Sequence, residues 1–115
     1  MPTEREVNEA LARWVWPDRP VECLLKHILV WLSEYDVIYC GLFTESLDSL
    51  NTHIWPKLRE QGIDLSVRLD DEGCYCRLWH QRKQKCVGET SHESEAMARS
   101  LAVCEYVKEG KDVAD

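Results

Sequence analysis

Five residues of one short stretch carry the sharpest chemical signal in this chain: Arg77, Trp79, Arg82, Lys83 and Lys85, within RLWHQRKQK. Guanidinium and ammonium groups interleaved with an indole suit phosphate contact and stacking on a base. No acid lies between Gly73 and Gly88. The plainer reading is a solvated hairpin tip with Trp79 packed against a helix, because charged loops are commonly just solvated.

A second set combines cysteine and histidine. Cys23 and His27 have i, i+4 spacing, which would put a thiol and an imidazole on one helical face, and Cys74, Cys76, His80 and Cys86 could add ligands. Structural zinc usually takes Cys-x2–4-Cys or His-x3–5-His pairs, whereas here the pair is Cys-x-Cys. Alternation on a strand turns both of those sulfurs toward a core. The sequence therefore assigns no metal and no cofactor. Thiol catalysis needs an activated, accessible thiolate with a histidine in reach, and nothing near any cysteine marks one. There is no G-x-S-x-G, P-loop, dinucleotide fingerprint or H-E-x-x-H. The expectation is a protein that binds and is not an enzyme.

The elements that must position these residues read as α+β. Thr3 and Glu6 form a capping box for a helix from Glu4 to Trp14 or Trp16, with Val7, Ala10, Leu11 and Trp14 as its apolar stripe. Pro17 and Pro20 stop it. Val21–Glu34 is apolar nearly all round and reads as a buried or partner-facing helix, with a strand inside Ile28–Leu32 as the alternative. Tyr35–Phe43 supplies an edge strand or a connecting loop.

From Thr44 to Gly110 the order is helix, three strands, helix. The first helix starts near Thr44 or Ser46, carries Leu47, Leu50, Ile54 and Leu58 on one face, and is kinked or restarted at Pro56. Gly62 caps it. Ile63–Leu69 and Cys74–Trp79 alternate on either side of a polar turn, Asp70-Asp71-Glu72-Gly73, and a third strand falls around Cys86–Val87. Thr90 and Glu93 suggest a second capping box for a final helix that Gly110 ends. The expected fold is one small antiparallel sheet of three or four strands sandwiched by helices, in a single domain over 1–115. Its parts are an N-terminal helical part over 1–43, the α-β-β-β-α unit over 44–110 and a frayed tail over 111–115.

Composition narrows the function further. Apolar content of 44% and charged content of 30% are ordinary for a globular protein. The start, MPTEREVNEALARW, has acids where a signal peptide needs bases and an apolar run, and no stretch approaches a bilayer span. A cytoplasmic protein with its six cysteines reduced is expected. The net charge is −7, with the acids in excess over residues 1–72. An acidic body argues against general nucleic-acid affinity and suits a partner with a basic surface. Five tryptophans are many for this length, and one or two left off the core would be natural interface anchors.

The α-β-β-β-α order resembles a double-stranded RNA-binding domain. Such a domain places bases at the start of its second helix, where this chain has Ser91-His92-Glu93-Ser94-Glu95, so that mode is excluded. Three other segments, FTESLDSL at Phe43–Leu50, GCYCRLW at Gly73–Trp79 and AMARSLAVCEYV at Ala96–Val107, resemble the phage ABA-sandwich family of small bacteriophage and prophage proteins. Trp14 and Trp16 near the end of an N-terminal helix are similar too, while Arg19–Tyr39 departs from that pattern. The resemblance implies a sheet with helices on both sides and a phage setting, without an assigned activity or site.

Two function classes follow. One is a phage accessory protein that binds and inhibits a host protein, such as a CRISPR-type defence component. The other is a nucleotide-binding or sequestering protein that uses the basic strand-loop. A homodimer through Val21–Glu34 stays open beside either.

Overall fold

A computed structural model describes the backbone of residues 2–113 and the side chains of residues 2–109. The class is α+β, as the sequence pattern implies, and in place of one sheet of three or four strands it holds two three-stranded antiparallel sheets.

Helix α1 (Glu4–Val15) starts on the expected capping box. Glu6 N–H donates to Thr3 Oγ1 at 3.2 Å, and Thr3 N–H donates to the Glu6 carboxylate at 3.3 Å. Val7, Leu11 and Ala12 are fully buried on its inner face.

The first sheet corrects the reading of Val21–Glu34 as a helix, and with it the idea that residues 1–43 are helical throughout. The segment forms β1 (Val21–Cys23) and β2 (His27–Trp31), and Val37–Gly41 follows as β3, in the order β1–β2–β3. Val21, Val30 and Ile38 lie in one cross-strand row, and Cys23, Ile28 and Cys40 in the next; all six belong to the core or its margin. Leu29, on the opposite face, is also buried, between Glu22 and Tyr39. Both faces of β2 are thus apolar, which erased the two-residue period and imitated an all-round hydrophobic helix. The turn after β2 is held by Ser33, whose hydroxyl accepts from Tyr35 N–H and from Asp36 N–H at 3.3 and 3.0 Å.

Residues 47–60 form one interrupted helix. Ser46 caps α2 (Leu47–Ser49), its hydroxyl accepting from Ser49 N–H at 3.1 Å. A π-helical turn then spans Leu50–Ile54, and α3 (Trp55–Glu60) follows with Pro56 in its first turn. Pro56 has no N–H for the carbonyl four residues back, and its ring crowds that carbonyl. The wider turn, with Trp55 N–H bonded to Leu50 C=O, accommodates both facts. Leu50, Ile54 and Leu58 are buried as expected, but Leu47 is exposed and Ser49 takes the inward position. Gly62 closes the segment at φ 73°.

The second sheet comprises β4 (Ile63–Asp70), β5 (Gly73–His80) and β6 (Lys85–His92), in that order. β6 is longer than the short strand expected around Cys86–Val87 and absorbs Thr90, so Thr90 caps no helix. Helix α4 (Glu95–Val113) instead has Ser94 before it, whose hydroxyl accepts from Met97 N–H at 3.3 Å. It runs past Gly110 to Val113, and the remainder of the expected frayed tail lies outside the described residues. α4 lies on β5 and β6, α3 lies beside β4, and α1 touches both α4 and β1. Contacts therefore pass from the first sheet through α1 to α4 and the second sheet, around one core. Gly88 is where α4 comes closest: a Cβ there would stand 2.4 Å from the Ala102 carbonyl oxygen.

Candidate functional site

The helices cover only the inner face of the second sheet. Strand alternation turns Ile63, Cys74, Cys76 and Leu78 inward, the register irregularity in β6 brings Val87 to the same side, and all are buried. The same alternation turns Asp64, Ser66 and Arg68 of β4, Tyr75, Arg77 and Trp79 of β5, and Glu89 of β6 to the open side. Register makes them neighbours: Arg68 stands opposite Tyr75, Ser66 opposite Arg77, Asp64 opposite Trp79, and Arg77 opposite Glu89.

Two cation–π pairs order this face. The Arg77 guanidinium lies 4.8 Å from the centroid of the Trp79 ring, and that of Arg68 lies 5.2 Å from the Tyr75 ring. The Tyr75 hydroxyl donates to Glu89 Oε2 at 2.5 Å. That bond, with smaller contributions from burial and the Glu89 charge, pushes the phenol up from its ordinary value. Ser66, Arg68, Tyr75, Arg77 and Trp79 line a shallow open cavity of about 440 Å³.

The sequence candidates separate here. Arg77 and Trp79 meet on the open face, and Trp79 packs under a guanidinium and not against a helix. Arg82 and Lys83 sit in the exposed hairpin Gln81–Gln84, and Lys85 opens β6 opposite His80; none of the three lines the cavity. The hairpin is tightly made. Gln84 adopts φ 51° and donates its N–H to the His80 carbonyl at 2.8 Å, and Lys83 N–H donates to His80 Nδ1 at 3.2 Å. The residues missed were Arg68, Tyr75 and Ser66. Their signal was present, because the Asp71–Glu72 turn fixes the β4–β5 register and brings Arg68 across from Tyr75.

The cysteine and histidine candidates disperse. Cys23 and His27 flank a hairpin, Cys23 facing the core row and His27 the other face, where it meets Tyr39 edge-on at 6.4 Å. Cys74 and Cys76 are buried with their sulfurs 3.8 Å apart, and burial, followed by the Cys74 contact, pushes the Cys76 thiol up to about 12. Burial likewise takes Cys40 to about 11, with Cys23 adding to it. These are poor thiolates at neutral pH. Among the described residues no three His, Cys, Asp or Glu side chains gather to hold a metal ion. Among them, too, no helix is long and apolar enough to cross a membrane. Trp14, Trp16 and Trp55 pack on the margin of the core, while Trp31 and Trp79 stand off it.

No protein-family model, curated protein sequence or solved structure matches this chain.

Proposed function

We propose that this protein acts by binding, and that the open face of the second sheet is where it holds a protein partner. The observation that carries the reading is the grouping of Trp79, Tyr75, Arg77 and Arg68 on one uncovered sheet face. Tryptophan, tyrosine and arginine are the residue types that dominate binding energy at protein interfaces, and here cation–π stacking fixes them before a partner arrives. Asp64, Glu89 and the turn acids Asp70, Asp71 and Glu72 border the face. With a net charge of −7 on the chain, they favour a partner whose rim is basic. Its acidity and the resemblance to phage ABA-sandwich proteins support a phage or prophage accessory role. In that role it would inhibit a host component such as a CRISPR-type defence protein, in the host cytoplasm.

The test is a pull-down of tagged protein from lysate of a bacterial host, run beside an Arg77→Ala/Trp79→Ala variant. A stoichiometric protein held by the native chain and lost by the variant supports the reading. A partner held equally by both overturns the assignment of this face.

A second reading rests on the cavity itself. Two guanidinium groups beside two aromatic rings around about 440 Å³ suit a nucleotide, with its phosphate on arginine and its base stacked. A melting shift with a nucleotide panel, abolished by Arg77→Ala, would move the assignment to ligand sequestration. No shift at saturating nucleotide would remove it.

A further inference from the structure

The outer strand of the first sheet has a free backbone edge, and its direction can be fixed from observed hydrogen bonds. Leu24 N–H donates to the His27 carbonyl at 2.8 Å and Trp31 N–H to the Pro20 carbonyl at 3.0 Å. His27, Leu29 and Trp31 therefore bond toward β1, and the alternate residues bond toward β3. Leu32 N–H, donating to the Asp36 carbonyl at 2.9 Å, follows the same phase. Asp36, Ile38 and Cys40 thus serve β2. The N–H and C=O groups of Val37, Tyr39 and Gly41 point away from the sheet, and none of the turn and loop hydrogen bonds among the described residues uses them. α2 approaches Gly41 where a Cβ would stand, 3.1 Å from Ser46 Cβ, which is across the sheet plane and not along the hydrogen-bond direction.

Open edges are ordinarily blunted by charge, proline, a bulge or shortness. The other three edges of this protein are. β1 is three residues long, follows Pro20 and carries Glu22; β4 carries Asp64, Arg68 and Asp70; β6 carries Lys85 and Glu89 and has an irregular register against β5. β3 reads Val-Ile-Tyr-Cys-Gly and has none of these devices. Beside it, Tyr39 is 64% and Tyr35 90% exposed.

We propose that β3 is a homodimer edge, two copies pairing it antiparallel about a two-fold axis at Tyr39 to make one six-stranded sheet. The strand is self-complementary in that arrangement. Its three outward residues are centred on Tyr39, so Tyr39 meets the second copy's Tyr39 and Val37 meets the second copy's Gly41, and all six outward groups find partners. The nearest acids do not oppose one another: Asp36 falls opposite the second copy's Leu42. Two chains of charge −7 repel at a distance, so added salt tightens the dimer. That sign is opposite to the salt dependence of an acidic protein meeting a basic partner. The surface is separate from the open face of the second sheet, and neither assignment depends on the other.

Sedimentation equilibrium from micromolar to near-millimolar protein tests the proposal, with Tyr39→Pro and Tyr39→Lys variants. Proline at 39 removes a donor that serves only the free edge and leaves the β2 pairing intact. Tyr39→Lys places a charge on that edge and keeps the test available if Tyr39→Pro does not fold. The expected result is a native chain at twice the monomer mass, tighter in high salt, and Tyr39→Lys monomeric with unchanged circular dichroism. A native chain that stays monomeric throughout overturns the proposal, as does a dimer that Tyr39→Lys leaves intact or that salt dissociates.

Discussion

Asn8 of α1 and Thr44 exchange two hydrogen bonds in the core: Asn8 Nδ2 donates to Thr44 Oγ1 at 3.0 Å, and Thr44 N–H donates to Asn8 Oδ1 at 3.2 Å. Asn8 Nδ2 also donates to the Glu4 carbonyl at 2.9 Å, and both residues are buried. Together with Ser100 Oγ, which donates to the Phe43 carbonyl at 2.9 Å, the pair ties α1 and α4 to the chain where it leaves the first sheet. Asn8→Ala would leave the Thr44 amide buried and unpartnered, at a cost of about 1–3 kcal/mol. Urea unfolding should show this as a lower midpoint with an unchanged slope. A midpoint equal to that of the native chain would show that the pair contributes nothing net.

Gly88→Ala should destabilise by about 1–3 kcal/mol, because the added methyl meets a backbone oxygen and α4 must move away. Gly62→Ala is the useful contrast. Its Cβ would meet nothing within 4 Å, so any loss there reflects the positive φ alone. The two variants separate overpacking from backbone strain by thermal melting.

Thiol reactivity should divide the cysteines. Cys86 is exposed and should alkylate first at pH 8, whereas Cys74, Cys76 and Cys104 are buried and should wait on opening of the fold. Raised thiol values also carry a sign for stability. The unfolded Cys40 loses its proton near 9.0 and the folded one near 11, so its contribution is complete below pH 9 and is lost as pH rises toward 11. Cys40→Ala should flatten that part of the melting profile. An unchanged alkaline slope would contradict the burial argument.

His53 carries the opposite dependence at acid pH. Burial, with Trp16 at 5.0 Å and Phe43 at 6.5 Å from its ring, holds its imidazole below the usual value of 6.5. The unfolded chain takes up this proton more readily, so the contribution is present above pH 6.5 and declines as pH falls. Comparison of native and His53→Gln melting between pH 7 and 5 should show the steeper decline in the native chain.

Arg68→Ala and Arg77→Ala should leave the melting temperature nearly unchanged, since both residues are exposed on a face that none of the described residues covers. Partner retention should fall in both. Equal loss of stability and of binding would mean that the face is a structural surface.

Legibility in the sequence followed periodicity. α1 could be read from the Thr3–Glu6 box, and β4 and β5 from clean alternation about Asp70–Gly73. The first sheet could be read only as alternatives, a strand inside Ile28–Leu32 and an edge strand in Tyr35–Phe43, because Leu29 is buried on the face that should have been polar, and long-range pairing with Val21–Cys23 and Val37–Gly41 decided the outcome. Thr90 and Glu93 imitated a capping box inside a strand, since a four-residue motif carries no information about what pairs with it. At the site, Arg77 and Trp79 were found because charge and indole are adjacent along the chain. Arg68 escaped notice because its proximity to Tyr75 exists only across two strands. Arg82, Lys83 and Lys85 drew attention by their density, although a tight hairpin holds them away from the cavity.

The close approach of α4 to β6 at Gly88 also has a consequence in time. With α4 seated that close to β6, amide protons of β5 and the middle of α4 can meet solvent only when helix and sheet separate together. Such protons should exchange with deuterium at the rate of global opening. In the monomer, β1 and β3 flank the core from a separate sheet and need open only locally, so there they should exchange much sooner. The protein would then have a slow half and a fast half, with the boundary where α1 passes from one to the other.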